Sequence, residues 1–82
     1  MRHEYKTRGT CSQKIAFVLN NGIVTNVSFL GGCHGNLQGI ARLCEGKQAD
    51  EIITSLRGIR CGFKPTSCPD QLAKALLRAK EQ

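Results

Sequence analysis

Gln13-Lys14-Ile15-Ala16-Phe17-Val18-Leu19-Asn20-Asn21-Gly22-Ile23-Val24-Thr25-Asn26-Val27-Ser28-Phe29-Leu30 is the stretch that decides the fold. Residues 13–19 are rich in β-branched and aromatic side chains, as a strand requires. Asn20-Asn21-Gly22 follows, and Asn and Gly accept the positive φ that tight hairpins demand. Residues 23–30 return as a second strand, with Ile23, Thr25, Val27 and Phe29 on one face and Val24, Asn26, Ser28 and Leu30 on the other. Upstream, Glu4-Tyr5-Lys6-Thr7 is suited to a third, edge strand.

Downstream the period changes from two to that of a helix. Leu37, Ile40, Ala41 and Cys44 recur at i, i+3, i+4 and i+7, predicting a helix from about Asn36 to Glu45 that Gly46 stops. Asp50 to Leu56 reads as a short second helix, with acids at its start and Arg57-Gly58 at its end. A loop over 58–67 leads to a third helix from Pro69 to Lys80. Pro69 suits a first helical turn, Asp70 complements the helix dipole, and Leu72, Leu76 and Ala79 form the buried stripe. Strands first and helices after predict an α+β fold: a small antiparallel sheet of two or three strands with three helices on one face.

The length, 82 residues, predicts one domain over 1–82 with a small core, to which a metal site would add useful stability. No stretch approaches the roughly 20 apolar residues of a membrane span. The start, Met-Arg-His-Glu-Tyr-Lys, lacks the apolar region of a signal peptide. The expected location is therefore the cytoplasm, where clustered cysteines point to metal binding or catalysis rather than disulfides. There are five cysteines, an odd number that also argues against a pure disulfide framework. The formal net charge is +6, but the twelve basic residues are spread along the chain without a block. With one Tyr, three Phe and no Trp, the chain also lacks the aromatics that stack single-stranded bases, so nucleic acid is not the expected partner.

Four of the cysteines sit where loops meet regular structure: Cys11, Cys33, Cys61 and Cys68. Thiols at element ends can converge on one rim of a small domain, and four thiolates bind a zinc ion in a closed, structural site. An iron–sulfur cluster is the alternative, since four thiolates serve it equally well. Cys68 is placed at the N-cap of the last helix, where the helix dipole and unpaired N–H groups favour a thiolate. Cys33 lies on a glycine-rich strand-to-helix turn. Cys11 enters the first strand, and Cys61 precedes the last helix. Cys44 falls on the apolar face of its helix and is assigned to the core. His34 is either a ligand or a turn residue. Arg60 and Lys64 flank the thiols and either support thiolate charge or are solvated. No carboxylate pair, phosphate loop or nucleophile–base arrangement points to catalysis.

Thr66-Ser67-Cys68-Pro69-Asp70 reads as the motif that names the TSCPD domain. Together with Gly9-Thr10-Cys11-Ser12, Gly32-Cys33 with Gly35-Asn36, and Cys61-Gly62, it resembles the small stand-alone four-cysteine members of that family over almost the whole chain. The resemblance implies an accessory link to ribonucleotide reduction, and so to DNA biosynthesis, because relatives form the C-terminal domain of adenosylcobalamin-dependent ribonucleotide reductases. It also names a ribonucleotide reductase, or another redox protein, as the expected partner. Reductase activity by this chain alone is not expected, since it has no room for a radical barrel and nucleotide sites. A thiol relay through a reversible Cys61–Cys68 disulfide is a further alternative.

The layout also resembles, more distantly, the IscU/NifU-type iron–sulfur scaffold, whose three cysteines match Cys11, Cys33 and Cys68. Gln13 stands where the scaffold has an Asp, Ser67 stands where it has a His, and Cys61 is additional. A fourth thiolate in place of labile ligands favours a stable site over cluster transfer.

Overall fold

In the computed structural model, which describes residues 2–9, 12–32 and 34–81, three strands come first and the helices pack onto the sheet. The elements are β1 (Arg2–Lys6), β2 (Ser12–Asn20), β3 (Ile23–Gly31), α1 (His34–Cys44), β4 (Lys47–Gln48), α2 (Ala49–Leu56) and α3 (Cys68–Lys80). The strands form one antiparallel sheet in the order β1-β2-β3-β4. The fold is therefore α+β.

The hairpin turn has the backbone its sequence demands. Asn21 has φ 53° and Gly22 has φ 81°, the two positive values of a type I′ turn, whose twist matches that of the flanking strands. The sheet has four strands rather than two or three. After α1, Gly46 takes φ 76° and its N–H donates to the Val24 carbonyl at 2.8 Å, which lays Lys47 and Gln48 against Val24 and Ile23. A two-residue strand is too short to show the alternation by which strands are recognised.

The facing of β3 also differs from simple alternation. The pairing steps from Ala16↔Ser28 to Val18↔Thr25, so β3 carries one residue more than β2 there. Asn26 takes φ 55° within this bulge, and its N–H is satisfied by Glu45 Oε1 at 2.9 Å. The extra residue re-phases the strand. Val24 and Val27, expected on opposite faces, are consequently both buried in one core.

That core lies between sheet and helices. Ile15 and Phe17 of β2 and Val24 and Val27 of β3 meet Cys44 of α1, Ile52 and Ile53 of α2, and Leu72 and Leu76 of α3. The stripes expected on α1 and α3 are therefore the ones that pack. Cys44 is part of this core, and burial pushes its thiol pKa above the ordinary value of 9.0.

Candidate functional site

The N-terminus of α3 organises the site, and its cap differs from expectation. Ser67, not Cys68, is the N-cap. Its backbone is extended (φ −148°, ψ 170°) and its Oγ accepts from the Asp70 N–H at 3.2 Å. A hydroxyl cap of this kind satisfies one of the orphan N–H groups that open a helix. Cys68 thus becomes the first helical residue, followed by Pro69, whose missing N–H costs nothing there. Ser67 Oγ also donates to the Ile59 carbonyl at 2.6 Å, tying the preceding loop to the helix start.

Asp70 does more than complement a dipole. It is buried, at 4 % exposure. Its Oδ1 accepts from the Gly58 N–H at 2.7 Å, and its Oδ2 accepts from the Thr66 hydroxyl at 2.5 Å. Lys74 Nζ stands 3.2 Å from Oδ2, one helical turn on. Burial alone would raise the Asp70 pKa, but the Thr66 hydroxyl, the Gly58 N–H and the Lys74 ammonium outweigh it and hold the carboxyl below its ordinary 3.8. Thr66 Oγ1 accepts in turn from Gln71 Nε2 at 3.0 Å, and Gln71 Oε1 accepts from the Arg8 N–H at 3.2 Å. Beside this bond, Gly9 has φ 74°, and a Cβ built on it would lie 3.3 Å from the Thr66 methyl. A side chain at position 9 would be strained in its backbone and crowded by Thr66.

This network gathers the flanks of the cysteines. Arg8 and Gly9, which lead towards Cys11, are held against Thr66 and Gln71. The loop carrying Cys61 is closed by the Cys61 N–H donating to the Thr66 carbonyl at 3.2 Å, and by a turn in which the Lys64 N–H reaches the Cys61 carbonyl at 3.0 Å. Gly62, with φ 60°, occupies the first central position of that turn. Cys61 is exposed and Cys68 is buried, and both line one groove of about 550 Å³. Gly35 and Asn36 at the start of α1, just beyond Cys33, line it too. Arg60 and Lys64 are its charged lining residues, and it contains no carboxylate. Two helix N-termini and two cations thus surround this pair of thiols.

Cys11 and Cys33 themselves lie outside the described residues, and so does the side chain of His34. Among the described residues, no group of three or more His, Cys, Asp or Glu is placed to hold a metal ion. Nor is any described helix long and apolar enough to cross a membrane.

A family model for the TSCPD domain matches residues 1–80, nearly the full chain. The chain belongs to the TSCPD family. No curated protein and no solved structure matches it.

Four letters of the TSCPD motif now have a physical role. Thr66 bridges Asp70 and Gln71, Ser67 caps the helix and holds Ile59, Pro69 fits the first turn, and Asp70 anchors Gly58. They frame Cys68, the motif's one thiol. Thr66, Gln71 and Gly9 were not legible as site residues, because their roles depend on contacts between segments distant in sequence. The Ser67-x-x-Asp70 spacing of a capping motif was the one available signal.

Proposed function

We propose that this chain is a small metal-binding module that holds one zinc ion through Cys11, Cys33, Cys61 and Cys68, and that it serves as an accessory to ribonucleotide reduction in the cytoplasm. The observation that supports the reading is the convergence of flanks: Cys61 and Cys68 share a groove with the start of α1, and the motif network draws Arg8 and Gly9 to the same end of the fold. Four thiolates fit zinc by softness and charge, and the electropositive surroundings offset the charge they carry. A closed zinc site cross-links segments and offers no open position to a substrate, so the role is structural. The link to ribonucleotide reduction follows from the family.

The test is the metal and acid-labile sulfide content of protein purified without air, read with its visible spectrum. About one zinc per chain and no colour is the expected result. Iron with sulfide and a brown colour would replace zinc by a cluster at the same residues. Cys68→Ser is expected to lose the metal and Cys44→Ala to keep it. Full metal retention in Cys68→Ser would overturn the assignment.

A further inference from the structure

The groove beside the thiols has a second character: its lining is largely apolar, and its charged side chains, Arg60 and Lys64, are both cations. Leu37, Ile40 and Leu43 of α1 form one wall, and Ile59 and Pro69 stand on the other side. Leu37 is packed, at 5 % exposure, whereas Leu43 is 76 % exposed and Ile59 41 %. Phe63, also fully exposed, sits in the turn between Cys61 and Lys64. Three of the five large exposed hydrophobics of the described residues thus cluster on this rim or its loop, with Leu30 and Leu77 elsewhere. Clustering of this kind marks an interaction surface, whereas single exposed apolar residues do not.

Charge selects the occupant. α1 and the segment 57–67 carry Arg42, Arg57, Arg60 and Lys64 and no Asp or Glu. Among the described residues, the ion pairs engage Arg2, Lys14, Lys74 and Lys80 and leave these four cations without a carboxylate. We propose that the groove docks an acidic amphipathic peptide segment of a partner protein, its apolar side chains entering between α1 and Ile59 and its carboxylates meeting Arg60 and Lys64. A second copy of this chain does not fit the requirement. The acid nearest its exposed Leu43, Glu45 two residues on, is already engaged with Asn26, and its Leu77 is followed by Arg78 and Lys80. Nucleic acid fits poorly as well, because among the described residues no aromatic side chain lines the groove for a base to stack on.

The groove adjoins the proposed zinc site, but neither Leu43 nor Arg60 is a proposed ligand, so substituting them leaves all four thiols in place. The probe is the hexapeptide Ac-Glu-Leu-Phe-Glu-Asp-Leu-NH2, titrated into the metal-loaded protein as purified and followed by backbone amide chemical shifts. The expected result is saturable shifts confined to α1 and residues 59–69. Leu43→Ser and Arg60→Glu should each weaken binding about fivefold or more. A peptide with Lys in place of its acids, and one with Ser in place of its apolar residues, should not bind. Absence of shifts at millimolar peptide overturns the proposal. So do shifts that spread over all basic surfaces, or affinity that ignores the apolar residues, since both mean charge attraction alone. Loss of peptide binding with metal retained leaves the zinc reading standing, and peptide binding by protein found to lack metal leaves the groove reading standing.

Discussion

Replacing Asp70 by Asn removes one charge and almost no volume, so it isolates the carboxylate at the centre of the motif. In the native protein this carboxylate accepts two buried hydrogen bonds, from Gly58 N–H and the Thr66 hydroxyl, and faces the half-exposed Lys74 ammonium. A hydrogen bond to a charged group contributes roughly 1.5–3 kcal/mol net, whereas a half-exposed ion pair contributes about 1 kcal/mol or less. Asn keeps one acceptor oxygen, which can still serve Gly58. Its amide N–H then meets Thr66, whose oxygen already accepts from Gln71. The Thr66 proton loses its carboxylate acceptor and keeps only the Ser67 carbonyl at 3.5 Å, and the bond from Gly58 loses its charge. The expected loss is about 2–4 kcal/mol, a large part of the stability of a small domain. Urea unfolding at matched metal content measures it.

The pH dependence separates charge from packing. The folded carboxyl titrates below the ordinary 3.8, so its stabilisation is fully present above that value and is lost as pH falls through the lower, folded value. The gap between native protein and Asp70→Asn should therefore be widest near neutral pH and should shrink below about 3.8. A gap under about 0.5 kcal/mol at neutral pH would refute the reasoning, since surface substitutions cause changes of that size. A gap that persists undiminished in acid would place the effect in packing instead.

Two further outcomes follow from the burial of Cys44 and the backbone of Asn26. In metal-free protein, Cys61 should react with a maleimide quickly, while Cys44, buried and shifted away from thiolate, should react about a hundredfold more slowly and only as the fold opens; mass spectrometry of quenched samples reads the order, and early labelling of Cys44 would contradict its place in the core. Asn26→Val should lower stability by roughly 1–2 kcal/mol because a β-branched residue resists φ 55°, whereas Asn26→Gly should be nearly neutral; thermal melts decide, and a tolerated Val would mean the bulge is not fixed by its backbone.

The sequence made the hairpin and the helices legible because each is a local matter. Asn21-Gly22 states its turn by its own conformational freedom, and Leu72, Leu76 and Ala79 state their face by spacing alone. The facing of Val24 was not legible, because an αL residue inside a strand leaves no mark on the hydrophobic pattern until Asn26 is seen against Ala16 and Val18. Strand β4 was hidden for a related reason: its pairing is imposed by Gly46, not by its own two residues. At the site, Cys61 and Cys68 stood out by residue type, and both line the groove. The cap could not be assigned to Ser67 rather than Cys68 until backbone angles fixed the helix start. The part played by Thr66, Gln71 and Gly9 depends on a bond between residues 8 and 71, which no local pattern encodes.

That bond has a consequence for the order in which the molecule is built. On the ribosome, Arg8 emerges long before Gln71 exists, so the first segment must wait for the last helix before its N–H finds a partner. The hairpin has no such wait and can pair as soon as both of its strands are out. Until α3 is synthesised, the segment leading to Cys11 has nothing to hold it near the Cys61 loop. The seating of Arg8 and Gly9 against Gln71 and Thr66 is thus nearly the last event of folding.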